Sequence, residues 1–256
     1  MNYKALACIA DDSEKAQSTY AELKAKYPID TKPEDADAII VLGGDGFMLH
    51  CLHEYMNLNI PFFGINCGTV GFLMNEQKDI DLLERLSKTK IEIINPLHMI
   101  AKTKDGKEHH ALAVNEVSML RSSRQAANLC IRIDDTQRIS ELSCDGVLVA
   151  TPAGSTAYNL SVHGPIIPLG AGILAITPIS PFRPRRWKGA LLSHKATVTI
   201  EVLDADKRPV NAVADFTEAQ DVLSVEIREE TSKSINLLFD RGHSLEDRII
   251  SEQFLS

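Results

Sequence analysis

Five apolar residues, Ala38 to Leu42, run without interruption into Gly43-Gly44-Asp45-Gly46, and helix-like patterning begins at Phe47. A short, wholly apolar run bounded by glycines reads as a strand buried on both faces, the kind found in parallel sheets. Such a strand must be covered on both sides, which points to an α/β architecture for this part of the chain. The glycines form the turn at the strand's carboxyl edge, where open α/β sheets bind their ligands. Glycine permits positive φ there and lets backbone N–H groups approach phosphate oxygens, and Asp45 is the carboxylate inside the turn. The same four residues also suit an ordinary strand-to-helix turn with Asp45 as helix N-cap.

Lys4 to Ala10 and Ile60 to Ile65 read as further strands, alternating with helices over Asp12 to Tyr27 (capped by Asp11, Asp12 or Ser13), Phe47 to Met56 and Ile80 to Leu86. That alternation predicts a Rossmann-like α/β N-terminal domain with a mostly parallel sheet over residues 1–95. From Glu92 onward the texture becomes β-branched and alternating, in Ile91 to Ile94, His98 to Thr103, Leu129 to Ile133, Thr197 to Val202 and Asp221 to Ile227. Turn residues such as Lys104-Asp105-Gly106 separate these segments, and together they predict a C-terminal antiparallel all-β domain over 96–236. In the last segment, 237–256, Leu245, Ile249, Ile250 and Phe254 recur at helical spacing behind Ser244, which predicts a helix packing back on the first domain.

A chain of 256 residues, 44% hydrophobic and 24% charged, has apolar material for one large or two modest cores. Its formal net charge of −8 argues against nucleic acid or an anionic membrane surface as partner, since both need a basic footprint. No run approaches the roughly 18 apolar residues of a membrane helix. Any phosphate-bearing ligand must then be held by local groups. Five scattered cysteines without a C-x-x-C pair, and an opening apolar stretch too short for a signal peptide, predict a cytoplasmic protein.

A second dense motif runs from Asp145 to Asn159, where the apolar run Val147 to Ala150 empties into Thr151-Pro152-Ala153-Gly154-Ser155-Thr156-Ala157-Tyr158-Asn159. Ser155, Thr156, Tyr158 and Asn159 supply hydroxyl and amide groups without net charge, the set that hydrogen-bonds a sugar or a base edge. One helix cap needs fewer polar residues than this. Upstream, Asn115-Glu116 stands among the apolar residues Ala113, Val114 and Val117. A buried acid there costs several kcal/mol unless it is paired, so a partner from protein or ligand is implied.

These motifs resemble the NAD kinase family, whose members phosphorylate the adenosine ribose 2′-hydroxyl of NAD to make NADP. Gly43-Gly44-Asp45-Gly46 is similar to the family's GGDG, Gly64-Ile65-Asn66 through Gly68-Thr69-Val70-Gly71-Phe72-Leu73 to its GIN-x-G-x-x-GFL, Asn115-Glu116 to its NE, and Thr151 to Asn159 to its TP-x-GSTAYN. The resemblance spans nearly the whole chain. It implies a two-domain fold, α/β then β with a returning C-terminal segment, and assembly as a homodimer or homotetramer. Two positions depart from the family pattern: His163-Gly164-Pro165 stands where many members read GGP, and Asp215-Phe216-Thr217 where many read DGQ.

Carried over position by position, the resemblance implies Asp45 as the base that orients and deprotonates the 2′-hydroxyl, with Gly46 and His50 beside the nucleotide. Phe72 would meet the adenine, Asn115 and Glu116 the ribose hydroxyls, and Asp145 the second nucleoside near the nicotinamide. Ala153, Thr156, Ala157, Tyr158, Asn159 and Ser161 would bind the adenosine region. The phosphoryl donor is ATP or polyphosphate, NAD is the acceptor, and Mg²⁺ is expected on the donor's phosphates, held by hard oxygens. No dedicated metal cage is visible and no residue is assigned as a metal ligand. A Walker A loop is absent, so the phosphates are not held in P-loop fashion.

Three further clusters read as structure or solvated surface. His50, Cys51 and His53 lie on a predicted helix among Met48, Leu49 and Leu52, where packing or capping suits them better than metal binding. His109-His110 follows a charged turn, and Arg183, Arg185, Arg186 and Lys188 make a basic strip on an acidic chain, read first as a solvated loop and second as a holder of ATP or NAD phosphates. Two other functions share parts of the pattern. A lipid or sugar kinase can carry a similar glycine-aspartate loop, and a silent NAD(P)-binding sensor would keep the ribose contacts but lose the base; the second motif favours NAD, and Asp45 is present.

Overall fold

The computed structural model describes residues 3–68, 71–78 and 80–241. They fall into two compact units: the described residues of Met1–Ile94 and Lys233–Ser256 form one, and Asn95–Ser232 the other. Thr69 and Val70 of the glycine-rich motif, and the helix expected over Ser244 to Phe254, lie outside the described residues.

The first unit begins β1 (Leu6–Ala10), α1 (Glu14–Lys26), β2 (Ala38–Gly43), α2 (Asp45–Tyr55), β3 (Phe62–Asn66), α3 (Leu82–Ser87) and β4 (Lys90–Ile94). Of the three residues suited to cap the first helix, Ser13 does so, its hydroxyl accepting from the Ala16 N–H at 3.3 Å, while Asp11 accepts from the Ser13 N–H. Strand β2 lies between β1 and β3, parallel to both, and every residue from Ala38 to Leu42 is 0% exposed. That is the two-sided burial its unbroken apolar run requires.

The second unit is a sandwich of two antiparallel sheets. Its strands are β5 (Leu97–Thr103), β6 (Glu108–Ala113), β7 (Glu116–Arg121), β8 (Ala127–Ile133), β9 (Thr136–Cys144), β10 (Gly146–Ala150), β11 (Ile173–Ile179), β12 (Ala190–Ser193), β13 (Val198–Leu203), β14 (Val210–Ala214), β15 (Thr217–Ala219) and β16 (Val222–Glu229), with the short helix α4 (Tyr158–Ser161) after β10. The sheet orders are β12-β11-β10-β7-β14-β15 and β6-β5-β16-β13-β8-β9. Alternate residues of both, among them Leu97, Met99, Val117, Met119, Val147, Val149, Val198, Ile200, Val225 and Ile227, fill one shared core. Strand β10 does not alternate, because its other face is covered too: Leu148 and Ala150 pack with Leu120, Ile179, Tyr158 and Val162.

The chain then re-enters the first unit as β17 (Ile235–Phe239), which joins its sheet in the order β1-β2-β3-β17-β4. It pairs parallel with β3 and antiparallel with β4. Ile91 to Ile94, whose texture reads with the antiparallel segments although it lies within residues 1–95, therefore belongs to the first sheet. The strand sits at a sheet edge, with Lys90, Ile91 and Ile93 exposed and Ile94 buried, and such local texture does not reveal which sheet supplies the partner. Asn75, 0% exposed, stitches the junction, donating to the carbonyls of Gly64 (3.0 Å) and Leu238 (2.9 Å) and accepting from the Asp240 N–H (2.9 Å).

Candidate functional site

In the first unit the glycine-aspartate turn is tighter than its sequence suggests. Strand β2 runs through Gly43 and α2 starts at Asp45, so Gly44 alone links them and Asp45 and Gly46 belong to the first helical turn. None of Gly43, Gly44 and Gly46 adopts positive φ, so conformational freedom is not what calls for glycine here. Space is. A Cβ on Gly43 would press on Phe47 and Asp11, whereas one on Gly44 or Gly46 would meet nothing among the described residues, whose packing leaves the flank of Asp45 open.

Asp45 is not an N-cap. Gly44 occupies that position, and the Asp45 carboxylate reaches across to another segment, accepting from the N–H groups of Phe72 (2.7 Å) and Leu73 (2.9 Å). One oxygen serves each amide, which fixes the plane of the carboxylate and ties the turn at 71–74 to the start of α2. An acid in the first helical turn is also favoured by the helix dipole. Gly71 abuts the same group, since a Cβ there would lie 3.2 Å from Asp45 Oδ1. Phe72 is half-buried. His50, one turn further along α2, is exposed, with Nε2 3.7 Å from Glu54.

In the second unit three sequence-distant segments are knitted together. The hydroxyl of Thr151 donates to the Val114 carbonyl (2.7 Å) and its N–H to the Asn115 carbonyl (2.9 Å), joining the turn after β10 to the residues just before β7. Gly154 lies against the Asn115 backbone, with no room for a side chain. The third segment is Asp215, between β14 and β15, whose carboxylate accepts from the N–H groups of Val114 (2.6 Å), Asn115 (3.1 Å) and Glu116 (3.2 Å). Asp215 is the residue that sequence reasoning missed. Its signals were the aspartate it shares with the family's DGQ pattern and its place in a two-residue connection between apolar alternations; it adopts φ of 47°, and its partners stand about 100 positions away.

Glu116 has no such support: its Oε2 is buried without a hydrogen-bond partner. Burial, and then the Asp215 charge, push its carboxyl up to about 7. The partner implied by the sequence is thus not supplied by this unit's protein groups. Tyr158, half-buried on α4, lies within electrostatic reach of both Glu116 and Asp145, and burial first and these charges next raise its phenol. Asp145 itself stands at the opposite end of the β7–β10 ladder, where Glu116 faces Ala150 and Leu120 faces Gly146, and it pairs with Arg121 at 2.5 Å.

The remaining residues of this turn divide by burial. Ala153, Ser155 and Asn159 are buried, Thr156 and Ala157 half-buried, and Ser161 exposed. Asn159 is committed within the fold: its Nδ2 donates to the carbonyls of Ser155 (3.2 Å) and Pro165 (2.9 Å), and its Oδ1 accepts from Thr177 (2.7 Å). Gly164 leaves the space that the Asn159 amide fills. His163 turns the chain at φ 64°, a left-handed conformation that favours the glycine many family members carry there. Arg183, Arg185, Arg186 and Lys188 are exposed, with the guanidinium groups of Arg183 and Arg185 over the Phe182 ring.

Comparison with known proteins bears on the family and the fold. The family described as "ATP-NAD kinase N-terminal domain" matches residues 5–91, and "ATP-NAD kinase C-terminal domain" residues 114–232. A relative from Caulobacter vibrioides named NAD kinase is 54% identical over 249 residues, covering 97% of this chain and 95% of its own. One of the same name from Rickettsia bellii is 50% identical, covering 99% of each. Among solved structures, yeast NADH kinase complexed with NADH shares the fold with a TM-score of 0.80 at 22% identity, over 100% of this chain and 88% of the yeast chain. With both domain descriptions matched in order and relatives half identical over essentially the full length, the chain belongs to the ATP-NAD kinase family.

Proposed function

We propose that this protein is an NAD kinase, transferring the terminal phosphoryl group of ATP to the 2′-hydroxyl of the adenosine ribose of NAD and releasing NADP, with Asp45 as general base. The observation that carries the assignment of the base is the fixed Asp45 carboxylate, aimed by two backbone amides at the carboxyl edge of a parallel sheet and flanked by glycines that packing leaves open. A ribose hydroxyl is a weak nucleophile, and a positioned carboxylate that accepts its proton contributes about 10²–10⁴-fold. Phosphoryl transfer otherwise asks for alignment and charge neutralisation rather than covalent chemistry.

Asn115, Glu116, Thr156, Ala157 and Tyr158 supply the hydroxyl, amide and carboxyl groups for nucleoside recognition, Phe72 a ring for the adenine, and Asp145 a contact for the second nucleoside. Ala153, Asn159 and Ser161 shape the same turn, and Gly46 and His50 flank the nucleotide in the first unit. Among the described residues no group of three or more His, Cys, Asp or Glu side chains could hold a metal ion. Mg²⁺ is proposed on the triphosphate, where hard phosphate oxygens would hold it and it would neutralise phosphate charge. A homodimer or homotetramer in the cytoplasm is the assembly and setting proposed; no described helix is long and apolar enough to cross a membrane.

The test is direct. Purified protein with NAD, ATP and Mg²⁺ is expected to form NADP, read by an NADP-specific dehydrogenase, and polyphosphate in place of ATP identifies the donor. No NADP with either donor, despite measurable NAD binding, would leave a nucleotide sensor as the better reading.

A further inference from the structure

Glu116 is a buried acid set beside another acid. It opens β7, its Oε2 has no partner among the described residues, and its charged neighbour from the adjacent element is Asp215, of like sign. Among the described residues the other titratable group within reach is the Tyr158 phenol of α4; Asp145, at the far end of the ladder, is paired with Arg121. None of these brings positive charge to Glu116. The two carboxyls are nevertheless held differently. Three backbone N–H groups stabilise negative charge on Asp215, and no donor does so for Glu116, whose carboxyl burial raises towards neutrality. Burial without a donor thus favours the protonated form of Glu116, and a protonated carboxyl is a hydrogen-bond donor where a carboxylate can only accept.

We propose that Glu116 meets its ligand as a neutral carboxylic acid, donating from Oε2 to a ligand oxygen, and that Asp215 is the positioning residue that fixes the 114–116 backbone and keeps the proton on Glu116. The proposal rests on the NAD kinase reading, in which that oxygen is a ribose hydroxyl of NAD. Its consequence is a pH dependence of NAD affinity that the ligand cannot supply, because the pyrophosphate of NAD does not titrate near neutrality.

The experiment is NAD binding by calorimetry on the full chain from about pH 6 to about pH 8.5, for the wild type, Glu116→Gln and Asp215→Asn. Wild-type affinity falls at least about tenfold across this range as the donor is lost. Glu116→Gln, whose amide donates at every pH, flattens the profile. Asp215→Asn removes the like charge and moves the fall about one unit to lower pH, whereas a purely structural role would weaken binding by one factor throughout. A flat wild-type profile, or a fall that survives in Glu116→Gln, overturns the proposal and leaves the kinase reading intact. The expected profiles without NADP formation overturn the kinase reading and leave the Glu116 assignment standing.

Discussion

Gly154 lies so close to Asn115 that no methyl group fits between them: a Cβ on Gly154 would overlap the carbonyl oxygen, carbonyl carbon and Cα of Asn115. All three atoms are backbone and cannot rotate away. Gly154→Ala should therefore destabilise the second unit by about 3 kcal/mol or more and lower NAD affinity with it. Gly46→Ala provides the contrast, since its Cβ meets nothing within 4 Å. Its thermal stability should stay within about 0.5 kcal/mol of wild type, while the rate of NADP formation falls if the open flank of Asp45 is where the nucleotide lies. Melting curves and steady-state rates on the two variants separate packing from ligand space.

Asp45→Asn should lower kcat by about 10²–10⁴-fold with a much smaller change in NAD affinity. An amide offers one oxygen where the carboxylate presents one to each of the Phe72 and Leu73 amides, so protection of these N–H groups from hydrogen exchange should fall as well. Retention of most turnover would sink the base assignment.

His163 holds a left-handed backbone, φ 64°, where a side chain costs about 1–2 kcal/mol relative to glycine. His163→Gly should be neutral or stabilising by up to about 1 kcal/mol, because the relieved strain is partly offset by the freer unfolded chain. His163→Val, β-branched, should destabilise by more than about 1 kcal/mol. Chemical denaturation of the three proteins gives the order.

Asp240 joins Arg85 (2.8 Å) and Lys78 (3.3 Å) in a largely buried network of the first unit. Burial works against its charge, but bonds to and charges on Arg85 and Lys78 outweigh it and hold the carboxyl below the usual aspartate range. A depressed folded value means the unfolded chain binds more protons, so this stabilisation is present above the ordinary aspartate range near pH 4 and is lost as pH falls below it. Asp240→Asn leaves the Arg85 charge uncompensated and should cost about 3 kcal/mol near neutrality. Melting temperatures of wild type and variant should converge on acidification; a constant gap down to about pH 2 would refute the account.

Much of this protein was legible in its residues alone. Ala38 to Leu42 announced a strand buried on both faces, the alternation from Lys4 to Leu86 a mostly parallel sheet, and the β-branched texture beyond it an antiparallel β domain, because burial period and propensity are local properties of the chain. The motifs likewise marked the family without coordinates. What tertiary structure decided were relationships between distant positions. Ile91 to Ile94 joins the first sheet because its partner, Ile235–Phe239, lies some 140 residues downstream. Asp45 serves Phe72 and Leu73 rather than its own helix, Asn159 is spent inside its turn, and Asp215 gathers three amides about 100 residues away beside an unpartnered Glu116. Hydrophobic periodicity records which face of an element is buried, but the partner of a polar atom is set by where the folded chain brings its donors, and no local pattern encodes that.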